Sequence, residues 1–107
     1  MQYMVIHLRN ERYLEDILLA MAACGVTDAA VSDAVNMQFI LATDMPIFAG
    51  FRVGLQERGT YMKIIAAPVT DEDTVRAIVD TLADNGVNFP SPELGGIYTF
   101  PVYVSFE

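Results

Sequence analysis

His7 is the single histidine of this chain and Cys24 the single cysteine. The side chains from which most catalytic and metal centres are assembled therefore occur once each. A general base works only when a second reacting group is aligned with it, and a structural zinc ion takes about four N or S ligands. No Ser/His/Asp order, His-Glu-x-x-His spacing or Walker glycine loop is present. His7 falls inside an apolar β-rich run, where a structural or surface role suits it, and Cys24 beside Gly25 reads as a small packed residue. Asp71, Glu72 and Asp73 have the oxygen chemistry for a hard cation, yet acids in the first turn of a helix already interact favourably with its dipole. The expectation is a protein that binds and assembles without catalysing.

The side chains suited to recognition lie elsewhere. Arg52 and Arg58 are the only basic residues between Asn36 and Gly59, and the guanidinium fork matches phosphate and carboxylate oxygens. Their other reading is solubility, or pairing with the many acids. Gly95-Gly96 either lets a ligand approach the backbone closely or simply supplies a turn before a strand. The apolar residues between Phe39 and Leu55 either pack within an oligomer or form a docking surface. Packing is favoured, because so many exposed apolar groups invite aggregation.

Four strands and two helices are expected to position these groups. Tyr3 to Leu8 reads as a strand, and Asn10 after it is a helix-capping type. Leu14, Ile17, Leu18 and Met21 then recur on one helical face, stopped by Gly25-Val26. Tyr61 to Ala67 is a second such strand, followed by the capping cluster Thr70-Asp71-Glu72-Asp73, the helical stripe Val75, Ile78, Val79 and Leu82, and Gly86-Val87. The halves match in outline, down to Tyr3-Met4-Val5-Ile6 beside Tyr61-Met62-Lys63-Ile64. Each needs a closing strand: Ala29 to Val35, with an extension through Phe39-Ile40-Leu41 open, and Ile97 to Phe106.

The order is βαββαβ in one domain, residues 1–107. Right-handed crossovers place both helices on one face of a four-stranded antiparallel sheet, an α+β, ferredoxin-like sandwich. The other face is left bare, so self-association is expected. Fourteen acidic against six basic side chains give a formal charge of −8, which repels nucleic acid and anionic membranes. No apolar run approaches the roughly 20 residues of a spanning helix, and the first residues lack a basic leader. A cytoplasmic location is expected.

With this order, a long excursion between the second and third strands and an irregular connection before the fourth, the chain resembles the P-II-like signalling proteins (the nitrogen regulatory protein P-II superfamily) over essentially its whole length. Residues 36–59 correspond to the T-loop and 86–96 to the B-loop. Gly95-Gly96-Ile97-Tyr98-Thr99-Phe100-Pro101-Val102 is similar to the tail of cyclic di-AMP-binding P-II-like receptors. The resemblance implies a homotrimer with a small effector, an adenine nucleotide or cyclic dinucleotide, in clefts between subunits bordered by Asn36, Gln38, Arg52, Arg58, Gly95 and Gly96. It also implies a target protein, a transporter or enzyme, engaged through the long loop. One departure is plain: residues 85–107 hold no Lys or Arg, so the basic ATP clamp of the family is missing. Two alternatives stand beside it, an interaction module without an effector and a sensor of the ACT or CutA type on the same plan.

Overall fold

A computed structural model of the chain describes residues 1–50 and 60–107. Burial alternates along β1 (Gln2–Leu8), where Met4, Ile6 and Leu8 are fully buried and the residues between them half-buried. A strand with that period has one face on a core and the other more open. After β1 come α1 (Leu14–Ala23), β2 (Ala30–Val35), α2 (Met37–Asp44), β3 (Tyr61–Val69), α3 (Glu72–Asp84) and β4 (Gly95–Pro101). The strands form one antiparallel sheet in the order β2-β3-β1-β4. This is the expected ferredoxin-like α+β arrangement.

Directly paired residues of antiparallel strands share a face, so the register defines both sides of the sheet. Ile6 lies between Ile65 and Ile97, and Leu8 between Lys63 and Gly95. On that side Ile17, Ala20 and Met21 of α1 and Val75, Ile78 and Leu82 of α3 close the core. Burying each large aliphatic side chain contributes roughly 1.5–3 kcal/mol. On the opposite side Tyr3 lies between Pro68 and Phe100, Val5 between Ala66 and Tyr98, and His7 between Ile64 and Gly96. Neither α1 nor α3 covers this second face.

The helix ends repeat the internal correspondence seen in the sequence. At the end of α1 the Val26 N–H donates to Met21 O (2.8 Å) and Gly25 N–H to Ala22 O (3.0 Å), around a positive-φ glycine. At the end of α3 Val87 N–H donates to Leu82 O (2.9 Å) and Gly86 N–H to Ala83 O (3.0 Å). Both are Schellman closures, in which glycine takes the left-handed position and the next apolar residue packs back. Val26 and Val87 are accordingly buried. Among the described residues, no helix is long and apolar enough to cross a membrane.

Some boundaries differ from expectation. Phe39, Ile40 and Leu41 do not extend β2; they belong to α2. Their apolar character fits either state, and the deciding group is Asn36, whose Oδ1 accepts from Gln38 N–H at 2.9 Å and so caps a helix. The helix stops at Met45, the residue before Pro46, where the α conformation is disfavoured. Between Asn36 and Gly59 the described part is thus largely helical. β4 starts at Gly95, so Gly95 and Gly96 stand at the head of a strand instead of in the connection, and the strand ends at Pro101, short of the expected Phe106. Asn10 caps a short 3-10 turn, Glu11–Tyr13, that leads into α1.

Candidate functional site

One end of the sheet holds the four described residues that the sequence suggested for recognition, Asn36, Gln38, Gly95 and Gly96. It comprises the carboxyl ends of β1 and β2 and the starts of β3 and β4, since Leu8 pairs with Lys63 and Gly95 while Val35 pairs with Tyr61. Asn36 follows directly on Val35. Its backbone N–H donates to Thr60 O (2.9 Å) and its side chain is spent on capping α2. Gln38 lies in the first turn of that helix, and Phe39 brings α2 against the start of β3, its ring 6.2 Å from that of Tyr61.

Gly95 and Gly96 occupy the opposite edge of the same end. Gly95 has φ +124°, a region that L side chains rarely adopt. It pairs across from Leu8 and abuts the carbonyl of His7. At Gly96 the missing side chain makes room for the Tyr98 ring, whose hydroxyl lies 2.9 Å from where a Cβ would stand. Tyr98 in turn meets His7 edge-on, with ring centroids 5.2 Å apart. The Gly-Gly pair therefore serves a close backbone approach and an aromatic lid over the open face.

The four described residues of the anticipated site, Asn36, Gln38, Gly95 and Gly96, do not converge within one chain. Asn36 and Gln38 stand at the β2 edge and Gly95 and Gly96 at the β4 edge, with β3 and β1 between them. That is at least roughly 14 Å, three strand spacings. Arg52 and Arg58 lie outside the described residues.

Electrostatics at this end centre on Lys63. It pairs with Asp33 on β2 and, at 3.7 Å, with Glu11. The hydrogen bond to Asp33, with the charges of both acids, holds its ammonium above the ordinary lysine value. Asp71 is held below the ordinary carboxylate value, first by the Thr74 backbone N–H and then by its hydroxyl, each 2.9 Å from Oδ1. Asp71 thus acts as the α3 cap, with Glu72 and Asp73 in the first turn. Cys24 is half-buried with its Sγ 3.8 Å from Thr81 Oγ1. Among the described residues, no group of three His, Cys, Asp or Glu is placed to hold a metal ion.

Two features escaped the sequence. A groove of 360 Å³ runs between α3 and β4, floored by Val75, Val79 and Ile97 and rimmed by Glu72, Arg76 and Asp80. Arg9, one residue beyond β1, lies over the connection before β4, where Nη1 donates to Pro92 O at 3.1 Å and its own N–H to Leu94 O at 2.8 Å. The available signal was its place, a cation directly after a strand. Comparison with models of known protein families finds no match, and comparison with curated proteins finds none either.

Proposed function

We propose that the chain is a P-II-like regulatory subunit, a homotrimer that binds a small effector between subunits and reports it to a target protein through residues 36–59. The observation that carries this reading is the division of the candidate site. Its halves share one end of the sheet but occupy opposite edges, so only a neighbouring copy can bring an Asn36 edge to a Gly95 edge. Closed rotational assembly does that for every subunit at once.

The open face supports the same reading. Tyr3, Val5, Met62, Ile64, Ala66, Tyr98 and Phe100 lie on it, the Tyr3 and Phe100 rings are 5.7 Å apart, and its β1, β3 and β4 positions carry no carboxylate, Lys or Arg. A charge-free apolar face lets copies of a chain with net charge −8 meet where their like charges are absent. An adenine nucleotide or cyclic dinucleotide is the effector class proposed.

Light scattering on the intact protein, with thermal shifts against adenine nucleotides, cyclic dinucleotides and bicarbonate, tests the reading. A trimer whose melting point rises with one of them is expected, because a ligand of the folded state must stabilise it. A strict monomer that responds to none overturns it.

A second reading, an interaction module without an effector, is favoured by one observation. Met37 and Ile47 are 67% and 83% exposed, and Ile40 and Met45 are also exposed, an apolar surface held on α2 and the turn after it. An assembled protein that responds to no ligand would select it.

A further inference from the structure

Cations are scarce in this chain, so the partners of each are informative. Lys63 is taken by Asp33 and Glu11, Arg76 by Glu72 at 3.3 Å, and the Arg12 guanidinium lies over the Tyr13 ring at 5.8 Å. Among the described lysine and arginine side chains, Arg9 alone meets neither a carboxylate nor a ring. Among the described residues, the one acceptor that its guanidinium finds is the Pro92 carbonyl, and its Nε is buried without one. Glu93 is in the same turn, yet the two form no ion pair.

A structural duty for the guanidinium accounts for only part of this. The turn under it is already closed by Gly95 N–H to Ser91 O (2.8 Å) and Leu94 N–H to Ser91 Oγ (3.0 Å), and it is tied to β1 by the Arg9 backbone. The bond to Pro92 is at the surface and the residue is half-exposed. A cationic group that has lost water at Nε without gaining an acceptor is unfavourable, and a bound oxyanion would offset that cost. The planar fork also donates to two oxygens of one phosphate or carboxylate together.

We propose that Arg9 is the anion-binding residue of this sheet end and recognises a phosphate or carboxylate group of a small ligand. The proposal rests on the effector reading and deepens it, because Arg9 supplies the cation that residues 85–107 lack.

The test follows the Arg9 Nε–H resonance of isotope-labelled, full-length protein during titration with ATP, inorganic pyrophosphate, glutarate and adenosine. ATP and pyrophosphate distinguish a phosphate site, glutarate a carboxylate site, and adenosine serves as the uncharged control. A saturable shift with a charged probe and none with adenosine is expected. Affinity for that probe should fall about tenfold to a hundredfold in Arg9→Gln, as for loss of a charge-assisted hydrogen bond, and less in Arg9→Lys. If the glutamine variant fails to fold, the lysine variant, which keeps the charge and loses the fork, carries the comparison. Unchanged affinity in the folded variants overturns the role of Arg9 and leaves the effector reading standing. No response of the resonance to any probe overturns the role of Arg9, and the effector reading falls with it when cyclic dinucleotides and bicarbonate also leave the melting point unchanged.

Discussion

Gly95 lies against the carbonyl of His7 so closely that a Cβ at Gly95 would stand only 1.8 Å from that oxygen. The contact fixes where β4 begins against β1, and backbone cannot yield as a flexible side chain does. Gly95→Ala should therefore cost about 1–3 kcal/mol through strain and displaced pairing, read as a lower urea midpoint. Gly96→Ala should cost less, because the group in its way is the end of the Tyr98 side chain, which can swing off. Equal losses in the two variants would show that the His7 contact is not the constraint.

Single helical positions differ sharply in what they contribute. Ile78 on α3 is fully buried, whereas Leu19 on α1 is 69% exposed. Ile78→Ala should lose about 2–5 kcal/mol of unfolding free energy. Leu19→Ala should stay within about 0.5 kcal/mol. Denaturant melts of the two variants check the assignment of inner and outer faces.

Stability should decline at both ends of the pH scale for separate reasons. Asp71 has its carboxyl lowered in the folded state by Thr74, so its contribution is present above the ordinary aspartate value, about 3.9, and is lost as pH falls through the lower folded value. Lys63 is raised chiefly by Asp33, so its contribution is complete below the ordinary lysine value, about 10.4, and is lost as pH rises through the higher folded value. Melting points across pH should show a shallower acid limb in Asp71→Asn and a shallower alkaline limb in Lys63→Met. A limb unaltered by its variant would remove that group from the account.

Strand and helix order, the inward stripes and the two glycine closures were legible because each rests on local chemistry repeated at a fixed period. α2 was not, since Phe39-Ile40-Leu41 suits strand or helix alike and only the cap at Asn36 decides. The candidate residues could be named by type, whereas their places could not. No spacing reveals that Asn36 and Gly95 finish at opposite edges of the sheet, because strand order is set by long-range pairing. Arg9 was missed for the same reason: its significance lies in the partners it lacks, which depend on how the Pro92 turn packs.

Val5 and Ile6 are neighbours that point to opposite faces of β1, and they separate folding from assembly. Ile6 is fully buried under the helices, so Ile6→Asp places an unpaired carboxylate in the core and should abolish folding. Val5 lies on the open face between Ala66 and Tyr98. In an isolated subunit Val5→Asp keeps its charge in contact with water, and the far-ultraviolet circular dichroism should remain that of the wild type. In the proposed trimer each subunit would carry that carboxylate into an apolar interface, beside its copies and without a cation. Association should weaken by at least about a hundredfold, and light scattering should read a folded monomer. A variant that folds and keeps the wild-type mass would place the interface elsewhere, and the open face would then need another occupant.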